Sequence, residues 1–362
     1  MDIFACNDLT GKTIGGWTVG NQIASSDKTA KYALFYEVRN DAGSAIMKVL
    51  NYDKCHNGSL DGTHDRASLM ARETSAFHFE SSLAKECTGN RMGNVIRYID
   101  SGDIELPDYH IKTVSYIIYE MSEGKIGDFL TFSSKTDFVV DLGLLVEKLK
   151  SLHQVTNGVR QLHAKLIAHH NITPQTVEVF EANTLSKVGG LQRSRTHQEL
   201  LHSPVSARLF DGDYTFAPPE AFFNYKMSED MSTYYQIDNY MLGNLIVYYL
   251  SMMNLTTLIS SKCPYSLSHW ASKGADYNDV LPAIIAAFNQ SIEEIKSSIC
   301  VEELREPIAQ IIEGLCHPVP ERRGYPGRFS KPEVNADLQR VLSKLDVLYN
   351  KAQLILYSKT QK

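Results

Sequence analysis

Between residues 141 and 165 the apolar side chains Leu145, Leu149, Leu152, Val155, Val159 and Leu162 return at spacings of three and four. That period makes one continuous apolar face on a long helix. Before Gly124 the pattern is mainly that of strands. Residues 17–23, 33–39 and 44–50 are short aromatic or β-branched runs, and Asn40-Asp41-Ala42-Gly43 supplies hairpin turn chemistry between the last two. Residues 66–86 carry Leu69, Ala76, Phe77 and Leu83 among many charges, an amphipathic helix, before residues 94–99 and 113–120 return to strand character. The expected order is three strands, one helix and two strands, followed by a mainly helical second half. Residues 237–253, 281–288 and 301–315 read as further helices, with Leu245 to Leu255 as a buried one. A final helix has the stripe Leu338, Val341, Leu342, Leu345, Leu348, Ala352 and Ile355 packing on its own domain. The class is α+β.

Composition narrows the function classes. With 362 residues, 43% hydrophobic and 22% charged, the chain is globular and long enough for two modest domains. Its formal charge of −6, without Lys/Arg tracts, gives no electrostatic footprint for nucleic acid or an anionic membrane. The six cysteines are scattered without a CxxC pair, as expected of reduced thiols in an intracellular protein. The N-terminus lacks a basic segment followed by an apolar stretch, and no apolar run reaches the roughly 20 residues of a transmembrane helix. A cytoplasmic location without membrane insertion is expected.

A series of motifs then falls in a recognisable order. Ala45-Ile46-Met47-Lys48 ends a strand, and Glu80 follows in the first helix. Ile117-Ile118-Tyr119-Glu120-Met121 is an apolar strand running into a polar connector. Leu162-His163 precedes His169-His170-Asn171-Ile172-Thr173-Pro174-Gln175-Thr176-Val177. Ala217-Pro218-Pro219-Glu220, Asp238 with Gly243, and Arg322-Arg323 complete the series. In order and spacing over residues 13–330 this resembles the protein kinase-like superfamily. The resemblance implies a bilobal fold, with a small antiparallel β-rich lobe bearing one main helix and a larger, mainly helical lobe. It divides the chain into an N-terminal extension (1–12), the small lobe (13–121), the large lobe (122–330) and a C-terminal helix packed on it (331–362). It pairs Lys48 with Glu80 and Glu220 with Arg322 or Arg323. Ile46, Glu120, Met121 and Glu178 would line the former nucleotide cleft.

The departures from the family pattern decide the expected function. Asn171 stands where the catalytic aspartate would accept a hydroxyl proton, and Thr176 where an asparagine would bind magnesium. Thr173 replaces the intervening lysine, and Gly190 replaces the metal-binding aspartate. A neutral amide does not deprotonate a hydroxyl as a carboxylate does, and a threonine hydroxyl is a poor ligand for Mg²⁺. The phosphate loop, residues 24–29, contains no glycine and carries Asp27 beside Lys28. Glu178 would place a carboxylate, desolvated and without a partner, under an adenine ring, while Ile46 and Tyr119 narrow the pocket. His169 reads as a core histidine, and His163 and His170 as isolated ones, so no metal is assigned.

The resemblance therefore implies a pseudokinase without catalytic residues or cofactor, acting as a scaffold or allosteric regulator of a protein partner such as an active kinase. The alternative is an unconventional transferase that uses the same cleft with another nucleotide orientation or donor. A third reading is a sensor of a small metabolite, with Glu178 contacting a cationic group. The 193–216 segment, with Arg193, Arg195, His197 and His202, reads equally as a partner-binding segment or a solvated loop, and its Thr196, Ser203 and Ser206 are hydroxyls that another kinase could phosphorylate. Residues 254–278 and the final helix are candidate partner surfaces.

Overall fold

Alternating side chains build the first sheet. A computed structural model describes residues 9–24, 31–57, 66–106, 112–130, 137–197, 210, 212–223, 225, 230–324 and 338–361. The chain is α+β with an antiparallel sheet, and it forms two compact units. The first runs to Gly124 and takes back Gly189–Arg193; the second comprises Lys125–Val188 and Ser194–Lys362. The return of Gly189–Arg193 to the first unit departs from the sequence division, which kept it with the second.

In the first unit, β1 (Thr13–Ile14), β2 (Trp17–Ile23), β3 (Ala33–Asn40) and β4 (Gly43–Leu50) form an antiparallel meander. The β1–β2 turn needs glycine twice, because Gly15 and Gly16 have φ of +56° and +81°, and a Cβ on Gly15 would lie 2.1 Å from the Tyr116 hydroxyl. Helix α1 (Tyr52–Asn57) and the long α2 (Arg66–Gly89) follow, then β5 (Tyr98–Glu105) and β6 (Thr113–Glu120). The six strands lie in the order β1-β2-β3-β4-β6-β5. Tyr36 and Val38 of β3 and Ala45, Met47 and Val49 of β4 share one core with Trp17, Val19, Val114 and Ile118. Period two then places Lys48 on the opposite face of β4. That face is covered too, since Lys48 is 3% exposed.

Two expectations for this unit need correction. Residues 94–99 turn before they become a strand, with the Val95 amide donating to the Met92 carbonyl at 3.3 Å. The strand itself starts at Tyr98 and is largely polar, held by Tyr98 and Ser81 on Ser101 and by Ser115 on Asp103. Helix α1 was not expected. The phosphate-loop residues 25–29 lie outside the described residues.

The second unit is organised by α4 (Phe138–His163), preceded by the single turn α3 (Ile126–Phe129). Asp137 caps α4 by accepting from the Val139 and Val140 amides, and the predicted stripe from Leu145 to Leu162 is buried. After α4 come β7 (Ile167–Ala168), the hairpin β8 (Val177–Phe180) and β9 (Leu185–Val188), and β10 (Arg195–Thr196), which pairs with β7. Helices α5 (Met231–Ser251), α6 (Leu255–Lys262), α7 (Leu267–Ser272), α8 (Tyr277–Ser298), α9 (Glu302–Cys316) and α10 (Gln339–Thr360) complete the unit. The apolar run from Leu245 to Leu255 is not one helix. Met252 adopts φ +59°, and Asn244 holds the break by accepting from the Leu255 amide at 2.5 Å. Among the described residues no single helix is long and apolar enough to cross a membrane; α5 and α6, apolar together, meet at 86°. Helix α10 packs against α4 and α9, burying Val341, Leu345, Leu348 and Ala352.

Arg323, rather than Arg322, pairs with Glu220. Both residues are fully buried, and the guanidinium meets the carboxylate through two parallel bonds of 2.5 and 2.7 Å while its Nε donates to the His317 carbonyl. The cation also lies 4.9 Å from the Tyr240 ring centre. Removing one member leaves the other buried and uncompensated, so Arg323→Ala should cost about 3–5 kcal/mol of stability. Arg322→Ala, which strips an exposed side chain, should cost under about 0.5 kcal/mol; urea unfolding of both variants checks the contrast.

Candidate functional site

Lys48 sits on β4 opposite Phe35 of β3 and Ile117 of β6. Burial of an ammonium demands partners. Its Nζ donates to Glu80 Oε2 at 2.5 Å and to Gln192 Oε1 at 3.1 Å, with the Phe77 and Phe35 rings about 6 Å away. Glu80 is 2% exposed, and its second oxygen accepts from the Tyr119 hydroxyl at 3.1 Å.

Gln192 extends the network. Its amide nitrogen donates to Glu73 Oε2 at 3.2 Å, and Arg72 covers the other Glu73 oxygen through Nε and Nη2 at 3.1 and 2.8 Å. Glu73 and Glu80 stand seven residues apart on α2, two turns on one face, which is why one buried side of the helix supplies both carboxylates. Sequence reasoning found Lys48 and Glu80 but missed Glu73, Gln192 and Arg72. The seven-residue spacing was the available signal for Glu73. Burial and the neighbouring Glu73 carboxylate also push the Cys55 thiol up to about 12, which keeps it protonated and unreactive.

The other predicted positions of the first unit serve as framework. Ile46 is half-buried opposite Tyr119. Glu120 accepts from the Arg97 amide at 2.8 Å and pairs with its guanidinium at 3.6 Å. Met121 is 39% exposed. Gly190 has φ of +70°, a conformation suited to glycine, and leads into the turn Leu191–Arg193 that carries Gln192.

In the second unit, the segment 169–178 is buried throughout except for the half-buried Gln175. Asn171 Oδ1 accepts from the Asp213 amide at 3.1 Å, and the Asn171 amide donates to His169 Nδ1 at 3.2 Å. Thr173 and Thr176 cap the turn Pro174–Thr176 reciprocally: the Thr173 amide donates to Thr176 Oγ1, whose hydroxyl lies 2.9 Å from the Asn171 carbonyl. These polar groups are engaged in holding backbone. Close packing agrees, since a Cβ on Gly212 would lie 2.6 Å from the His170 carbonyl.

The expectation that Glu178 lacks a partner is wrong. Lys125 Nζ forms an ion pair with Glu178 Oε1, so this buried carboxylate is compensated from within its own unit. Nor is His163 isolated: its Nε2 lies 2.8 Å from Asp238 Oδ2, and its ring packs 4.2 Å from that of Tyr235. Asp238, fully buried, also accepts from the His169 and His170 amides at 2.7 Å each. Among the described residues no three His, Cys, Asp or Glu side chains converge as a cation site. Thr196 is half-buried on β10, while Asp27, His202, Ser203 and Ser206 lie outside the described residues.

Asp238 gives the second unit a pH dependence. Burial alone would raise its pKa, but the His163 hydrogen bond, the charges of His163 and His169 and the His170 amide together hold it below 3.8. As pH falls, the unfolded chain takes up this proton first, so the stability Asp238 supplies is complete above the ordinary aspartate value and drains away toward its lower folded value. Asp238→Asn should therefore cost about 2 kcal/mol at pH 7. Its stability gap from the wild type should narrow below about pH 4, which denaturant unfolding across pH measures.

The comparisons with known proteins add no relative: no protein-family model matches the sequence, and no curated protein is significantly similar to it.

Proposed function

We propose that the chain is a degenerate member of the protein kinase-like superfamily, bilobal in architecture, that has lost phosphoryl transfer and works as a scaffold or allosteric regulator by holding a protein partner. The observation that carries this reading is the engagement of Lys48. In the kinase pattern that lysine pairs with the helix glutamate and serves the nucleotide phosphates; here the Glu80 pair is kept, and the ammonium is also bonded by Gln192, whose amide is in turn held by Glu73. Gln192 occupies the position two after Gly190, so the segment that lacks the metal-binding aspartate also supplies a side chain to the lysine.

The second unit supports the same reading. Phosphoryl transfer rests on positioning and charge neutralisation, which need a base and metal-binding carboxylates or amides. At the corresponding positions Asn171 and Thr176 make backbone hydrogen bonds instead. Glu178, the one carboxylate of this segment, is neutralised by Lys125. A protein without transfer chemistry acts through its surface, and a protein partner is the natural target for one of this size.

The test is a transfer assay with γ-labelled ATP and Mg²⁺ or Mn²⁺, scoring autophosphorylation, transfer to generic protein acceptors and ATP hydrolysis. The expected result is no metal-dependent turnover above a protein-free control. Turnover that disappears in Lys48→Ala would overturn the proposal and favour the unconventional transferase.

A further inference from the structure

In the second unit, the last two turns of α9, the turn at Pro320–Arg322 and the first two turns of α10 border an open cavity of about 400 Å³. Arg322, Arg340 and Lys344 bring three cations to its lining, His317 an imidazole and Glu313 a carboxylate. Arg322 makes no ion pair or side-chain hydrogen bond among the described residues, whereas its neighbour Arg323 is buried on Glu220. The Val319 amide donates to His317 Nδ1 at 3.0 Å, so the neutral ring carries its proton on Nε2 and offers a donor there. Burial and then the Arg322 charge lower the His317 pKa, and burial and then the Arg340 charge lower that of Lys344. Both shifts report positive charge crowded around one space. Glu313 answers to other charges: its pKa is raised by burial, and the groups acting on it are Lys296, Glu306 and Glu293.

Cations gathered from two helices and a turn, with room between them, favour a ligand that brings several negative charges at once. The cavity has the size of an organic ligand's site and exceeds what a single ion fills. Exposed charges are screened at physiological ionic strength, so a lone small anion gains little, while carboxylates linked on one chain act together. We propose that this cavity holds an acidic stretch of a protein partner, with Asp or Glu side chains on Arg322, Arg340 and Lys344. The inference rests on the partner-holding function proposed above and names the chemistry of that partner. Guanidinium forks match carboxylates in two-bonded geometry, which would fix the orientation of the stretch. A nucleic-acid strand suits the site less, because Glu313 lies in the lining and the chain carries a net charge of −6 without Lys/Arg tracts.

The experiment is fluorescence anisotropy of the full chain titrated against a fluorescein-labelled acidic heptapeptide with two Asp-Glu pairs, its Asn-Gln counterpart, and a labelled single-stranded DNA oligonucleotide. The expected result is saturable binding of the acidic peptide that weakens as salt rises, and none of the amide counterpart. Binding should weaken about tenfold in Arg322→Glu and in Lys344→Gln, with both variants retaining the wild-type circular dichroism. Absence of saturable binding, equal binding of the amide peptide, or undiminished binding by either variant would overturn it. Tighter binding of the oligonucleotide would overturn the protein source. Displacement of the peptide by inorganic phosphate, beyond that by chloride at the same ionic strength, would reduce the cavity to a site for a single ion and overturn it as well. Loss of this inference would leave an absence of phosphoryl transfer untouched, and transfer activity would leave binding at this cavity untouched.

Discussion

Lys48 carries a charge that its position on β4 would not tolerate without Glu80 at 2.5 Å. A buried ion pair adds little net stability over apolar residues of the same shape, yet loss of one member costs several kcal/mol. The pair is therefore a constraint more than a source of stability. It fixes which face of α2 meets the sheet, and through Gln192 and Glu73 it fixes where the returning Gly189–Arg193 segment lies within the first unit. The geometry that makes the lysine structurally indispensable also surrounds its ammonium with groups from its own chain.

The second unit repeats the principle with different chemistry. Asp238 gathers two backbone amides and an imidazole, and Glu220 gathers the Arg323 fork. Both carboxylates are satisfied close at hand, and the side chains of Asn171, Thr173 and Thr176 are bonded to backbone. A catalytic centre holds strained or perturbed groups in reserve for substrate. The segment around Asn171 is buried, with its polar side chains bonded to backbone.

Much of this was legible in the sequence because it is periodic. Alternation gave the strands at residues 17–23 and 44–50, and the three-and-four spacing gave the buried face of α4, since each periodicity reports directly which face is covered. The pairing of Lys48 with Glu80 and of Glu220 with an arginine was legible only through the resemblance to the kinase pattern. The rest depends on who meets whom across the chain. Gln192 lies 144 residues from Lys48 and Lys125 lies 53 from Glu178, and a polar residue in a turn carries no local mark of a buried partner. Strand β5 was misplaced for a related reason, because its polar residues are held by side-chain hydrogen bonds that no hydropathy pattern reveals. The break at Met252 was hidden by a run that stays apolar on both sides of it.

On the proposed reading, Lys48 receives no nucleotide. The most direct test is thermal unfolding of the purified protein with millimolar ATP, in Mg²⁺ and in chelator, because a ligand bound only by the native state raises stability by RT ln(1 + [L]/Kd). The account predicts the same midpoint in every condition. A metal-dependent rise in midpoint that vanishes in Lys48→Ala would contradict it.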